Sequence, residues 1–81
     1  MTRRICDIAF DIKKDWSKQG KGVSPYAAPY LDAMFELTTI AEMYYLDSAK
    51  SIILYFLANA QSWRGETARK VKTELSDLCN D

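Results

Sequence analysis

The side chains best able to do chemistry in this 81-residue chain are few and scattered. There is no histidine, which removes the commonest general base and the commonest neutral metal ligand. Cys6 and Cys79 stand near opposite ends, a spacing that suits neither a disulfide framework nor a metal-ligand cluster. Either thiol would need an activating partner supplied by the fold, and no serine has a histidine to work with. Asp32 and Glu36 lie one helical turn apart. Paired carboxylates can serve acid–base catalysis or hold a metal, but without a third ligand this pair reads as a solvated helix face. Lys21 sits between Gly20 and Gly22, yet a phosphate loop needs a longer G-x-x-x-x-G-K-[ST] frame after a strand. Residues 19–23 therefore read as a solvated connector, with Lys18 and Lys21 able to touch an anion. The expectation is a protein that is not an enzyme and carries no cofactor or metal.

Binding chemistry is better represented. Arg64, Arg69, Lys70 and Lys72 gather positive charge beside Trp63, and residues 60–65 could form the turn of a helix-turn-helix. Against this, Arg69 and Lys72 share one side of a helix while Lys70 lies on the other beside Glu74. A helix that enters a DNA groove presents its charges on one face, and ordinary surface ion pairs account for these more simply. Aromatic residues and arginine are enriched in protein–protein hot spots. On that basis the candidate partner-binding residues are Phe10, Tyr44, Tyr45, Tyr55, Trp63, Arg64, Arg69 and Lys72. Phe10 falls among Arg3, Asp7 and Lys14 on the wet side of its helix, either as a lone exposed aromatic or as a contact for a partner. Met43, Tyr44 and Tyr45 read either as lids over the core or as an adaptable binding surface.

The elements that must position these residues are helices. Residues 47–62, DSAKSIILYFLANAQS, hold the most hydrophobic run, with Asp47 as N-cap and a helix over about 48–61. Its apolar residues spread over an arc of roughly 240°, far wider than a surface stripe. Such a helix is the centre of a bundle or the interface of a homodimer, and is too short to cross a membrane. Ile5, Ile8, Ala9, Ile12 and Trp16 share one face of a helix over 3–18, which Thr2 can cap. Ser24-Pro25 suits a helix start, but Pro29 either kinks that helix or begins it, so the span is 25 or 29 to 37. Thr39-Ile-Ala-Glu42 has the form of a capping box and predicts a short helix over 40–45. The last helix spans 63–79 with Thr67, Ala68, Val71, Leu75 and Leu78 inward. Arg64 then falls on the apolar side unless the helix starts later, near Gly65. The predicted fold class is all-α: one domain over 1–81, a compact bundle of four or five short helices around the central one.

The formal charge is zero but unevenly spread, and nothing in it is the strongly basic footprint of a nucleic-acid binder. No signal peptide opens the chain, so both cysteines are expected to be reduced thiols in a cytoplasm.

The pieces DSAKSI, YFLANA and WRGETAR, with PYLDAM before them, resemble a group of short helical proteins encoded by bacteriophages and other mobile elements. The resemblance covers about half the chain and is clearest over residues 47–75. It implies a bacterial host cytoplasm. It also implies a non-catalytic protein that binds a host protein, for example to inhibit a defence system such as CRISPR. No residue's role comes with it. The alternative is a small DNA-associated regulator using the basic 63–72 segment; a structural homodimer is a third reading.

Overall fold

A computed structural model describes residues 3–80. It holds four helices and one short two-stranded ribbon: α1 Ile5–Trp16, α2 Ala28–Met34, β1 Met43–Tyr44, β2 Asp47–Ser48, α3 Ala49–Ala58 and α4 Glu66–Asn80. The chain is thus mostly helical, as its periodicity requires, but it is not a pure helical bundle. The helices pack in a ring, α1 on α2, α2 on α3, α3 on α4 and α4 on α1. No described helix is long and apolar enough to cross a membrane.

The α1 stripe is as the spacing demands: Ile5, Ile8, Ala9, Ile12 and Trp16 are all buried. Its cap comes from elsewhere. The amides of Ile5 and Cys6 donate to the carbonyls of Thr38 (3.0 Å) and Leu37 (2.9 Å), so the chain leaving α2 satisfies donors that the helix itself leaves open. The predicted cap Thr2 lies outside the described residues. In α2 the start near Pro29 holds, with the proline in the first turn, where its missing N–H costs nothing. Ser24 caps only a preceding turn, accepting from the Tyr26 amide.

The helix predicted over 40–45 is replaced by the ribbon. Half of the capping box forms: the Glu42 carboxylate accepts from the amides of Thr38 and Thr39. No helix follows, because the few residues before Asp47 cannot repay the cost of nucleating one. Antiparallel pairing of Met43 with Ser48 and Tyr44 with Asp47 uses the backbone groups instead. Asp47 is consequently in the ribbon, and the α3 cap is Ser48, whose hydroxyl accepts from the Ser51 amide at 3.1 Å.

Helix α3 buries Ala49, Ile52, Ile53 and Phe56, while Leu54, Tyr55 and Ala58 are exposed. The buried arc is therefore narrower than 240°, and α2 and α4 cover it within one chain. The helix ends at Ala58, where the Asn59 side-chain amide donates to the Tyr55 carbonyl (2.8 Å). Gly65, at φ +114°, turns the chain into α4. Helix α4 thus starts three residues later than the longest reading, which leaves Arg64 exposed before it. Its inward line is Ala68, Val71, Leu75 and Cys79, with Leu78 half-buried. Thr67, about 100° round the wheel from Ala68, is exposed rather than inward.

Candidate binding surface

The eight candidate residues divide according to what the fold does with them. Trp63 is fully buried, which corrects its assignment as a surface anchor. Its ring stacks on Trp16 with centroids 5.8 Å apart, and Phe56 meets both indoles edge-on at 6.2 and 6.5 Å. Its indole N–H donates to Asp15 Oδ2 at 2.9 Å. The same oxygen accepts from Gln19 Nε2 at 3.1 Å, and that amide nitrogen also donates to the Arg64 carbonyl at 2.7 Å. One carboxylate at the end of α1 thereby ties down the turn between α3 and α4. The spacing of Asp15, Gln19 and Trp63 in the sequence carries no sign of this.

Lys72 is also drawn inward. Its ammonium donates to the Trp63 carbonyl at 2.7 Å and lies 5.9 Å from the centre of the Trp63 ring. Burial first, and the Arg64 charge second, push its pKa below the usual lysine value. Lys70 pairs with Glu66 at 3.1 Å, the i, i+4 order expected from the sequence. Of the basic segment, Arg64 and Arg69 are exposed and have no ion-pair partner among the described residues. A continuous cationic helix face is not formed.

The exposed aromatic residues lie elsewhere. Phe10 is 63% exposed on the outer side of α1. Tyr55 is exposed on α3, with its ring 5.4 Å from that of Tyr30. Tyr44 is half-buried in β1, and its hydroxyl donates to Glu36 Oε2 at 3.1 Å, fastening the ribbon to the end of α2. That bond raises the Tyr44 pKa, because losing the proton would set a phenolate against a carboxylate. Glu36 thus has a structural partner, and no group of three His, Cys, Asp or Glu side chains among the described residues could hold a metal.

Tyr45 and Leu46 form the tip of the ribbon and are 84% and 96% exposed. Tyr45 has φ +55°, and it is the only non-glycine residue at positive φ among those described. In a two-residue hairpin turn, positive φ at the first position alone is the sign pattern of type II′, where glycine is the usual occupant. An aromatic residue there costs about 1–2 kcal/mol. The Tyr45 ring meets that of Tyr44 edge-on at 4.8 Å. The Ala49 amide donates to the Glu42 carbonyl at 2.8 Å, so the base of the ribbon is hydrogen-bonded while its tip stands in water. Leu46, the most exposed large apolar side chain among the described residues, was not among the sequence candidates. A tip without Gly or Asn hides the turn from a reading of turn residues.

No protein-family model, curated protein or solved structure matches the chain.

Proposed function

We propose that this chain is a small non-catalytic protein-binding protein that acts on a bacterial host protein, with inhibition of a defence system such as a CRISPR effector as the specific form. The observation that supports the reading is the Tyr45–Leu46 tip: two large apolar side chains in water, on a turn that keeps an aromatic residue at positive φ. Backbone strain concentrates where it serves function, and exposed aromatic and aliphatic side chains are natural anchors for a pocket on a partner. Tyr44 and Glu36 hold the base of this knob in place, which lowers the entropy lost on docking. The phage setting comes from the resemblance of the DSAKSI, YFLANA and WRGETAR segments.

The test uses bacterial strains that each carry one defined immune system, including several CRISPR types, expressing either the natural protein or Tyr45→Asn/Leu46→Ser. Asparagine tolerates positive φ, so the double variant keeps the turn and loses the apolar tip. The expected result is restored phage plating in one strain, lost with the double variant, and a complex between the purified protein and that system's effector. No rescue in any strain and no complex with any effector overturns the reading. A salt-sensitive complex with duplex DNA at low salt would favour the DNA-regulator alternative instead.

A further inference from the structure

A second region of the surface is independent of the ribbon. Between the end of α1 and the turn before α4 lies an open cleft of about 500 Å3. It is lined by the 19–25 loop, by Ser62 and Arg64, and by Trp16. That volume falls in the range of small-molecule sites. Two cations line it, Lys21 and Arg64, and no carboxylate does. Neither cation has an ion-pair partner among the described residues. The nearest acidic group bonded to these walls is Asp15, whose Oδ2 is already shared by Gln19 and Trp63. The lining therefore carries two positive charges and no negative one, with the Asp15 charge behind it offsetting only part of them, and the Arg64 charge reaches Lys72, whose pKa it helps to lower.

The loop adds a second kind of donor. Gly20 and Gly22 have φ +31° and +76°, and a Cβ built at either would meet nothing within 4 Å. Nothing in the packing excludes a side chain there; glycine supplies backbone conformation and leaves the peptide groups bare. The Gly22 amide closes the loop onto the Gln19 carbonyl. The amides of Gly20, Lys21, Val23 and Ser24 have no acceptor among the described residues. A short loop with left-handed glycines and free amides is the backbone setting that favours anions. The Arg64 main chain is held rigidly to Gln19, its carbonyl accepting and its amide donating, while its guanidinium stays free.

We infer that this cleft is a binding site for the phosphate group of a nucleotide-sized small molecule, with Arg64 and Lys21 neutralising the phosphate and the loop amides donating to it. The phosphate chemistry rests on the two unpaired cations and the free amides. The larger ligand size rests on the cleft volume and on apolar wall residues, Val23 and Pro25, that suit the remainder of such a molecule. This site does not depend on the protein-binding reading of the ribbon.

Two-dimensional 15N–1H NMR titration of the full chain tests it, using ATP, AMP, inorganic phosphate and adenosine at constant ionic strength. The expected result is saturable shifts at the amides of Gly20, Lys21, Val23 and Ser24 with ATP and AMP, weaker ones with phosphate, and none with adenosine. Arg64→Gln and Lys21→Gln each weaken ATP binding by about tenfold or more, the size of one lost charge-assisted contact. Lys50→Gln, on α3, leaves it unchanged. Absence of saturable shifts at these amides, equal shifts with adenosine, or an Arg64→Gln variant that binds like the natural protein would each overturn the assignment. The variants alter exposed side chains, and their amide spectra report directly that the fold is retained.

Discussion

Two aromatic clusters in this chain have opposite fates. Trp16, Phe56 and Trp63 come from three separate segments and meet in the interior, and the Trp63 indole N–H has an acceptor. Tyr44 ends β1 and Tyr45 opens the two-residue turn that follows it, and Tyr45 with Leu46 is left in water at a cost in backbone strain. The first cluster stabilises the fold. In the second, Tyr45 at positive φ weakens it slightly, and so invites an explanation from function. Type of residue does not separate the two; long-range packing does.

Four substitutions sharpen or break this contrast. The largest effect is expected from Trp63→Ala, which empties the centre of the buried cluster. Stability should fall by about 3–5 kcal/mol, enough in a chain this small to abolish cooperative unfolding in urea. Retention of most of the stability would mean that Trp63 is not the keystone of the interior. Next comes Asp15→Ala, which leaves the Trp63 N–H and the Gln19 amide without their shared acceptor. The expected loss is about 1–3 kcal/mol by the same measurement, with the amides around Arg64 exchanging faster.

At the ribbon the sign reverses. Tyr45→Gly removes the side chain that opposes positive φ and should raise stability by about 0.5–1 kcal/mol, while the proposed host-protein binding is lost. A loss of stability there would mean that the Tyr44–Tyr45 contact outweighs the strain.

The smallest effect concerns pH. The folded-state pKa of Tyr44 is raised by its bond to Glu36, so the neutral phenol is the form that the fold favours. Stability from this bond is fully present below the ordinary tyrosine pKa of about 10 and is lost as pH rises through the higher folded value. Ultraviolet titration of phenolate should show one tyrosine ionising later than in Glu36→Gln. Superimposable titration curves would remove the bond from the account.

Much of the helical frame was legible in the chain. The α1 stripe of Ile5, Ile8, Ala9, Ile12 and Trp16 is wholly buried, because periodic apolar residues select a face whatever covers it. Asp32 and Glu36 are exposed, as read. The ribbon was not legible. Its capping-box signal was real, and Glu42 does reach back to Thr38 and Thr39, but a local signal cannot say whether enough residues follow to sustain a helix. Trp63 was misread as surface, and Lys72 is half-buried with its ammonium turned back onto the Trp63 carbonyl, because adjacency to Arg64 and Arg69 hid which way each side chain turns. Of the candidate surface, Phe10, Tyr45, Tyr55, Arg64 and Arg69 are exposed, and Leu46 had to be added from the fold.

By itself the sequence determined a mostly helical chain, the inward face of α1 and the lack of any histidine to do acid–base work, and it narrowed the start of α2 to Pro25 or Pro29. These follow from local geometry and side-chain chemistry, which need no knowledge of neighbours. Only the tertiary structure decided that the α2 exit caps α1, that Asp15 secures Trp63, that residues 43–48 pair as a ribbon, and that Arg64 faces a glycine loop across a cleft. Each joins segments separated along the chain or chooses between two local options of similar energy, and the balance is set by which backbone and side-chain groups find partners once the helices pack.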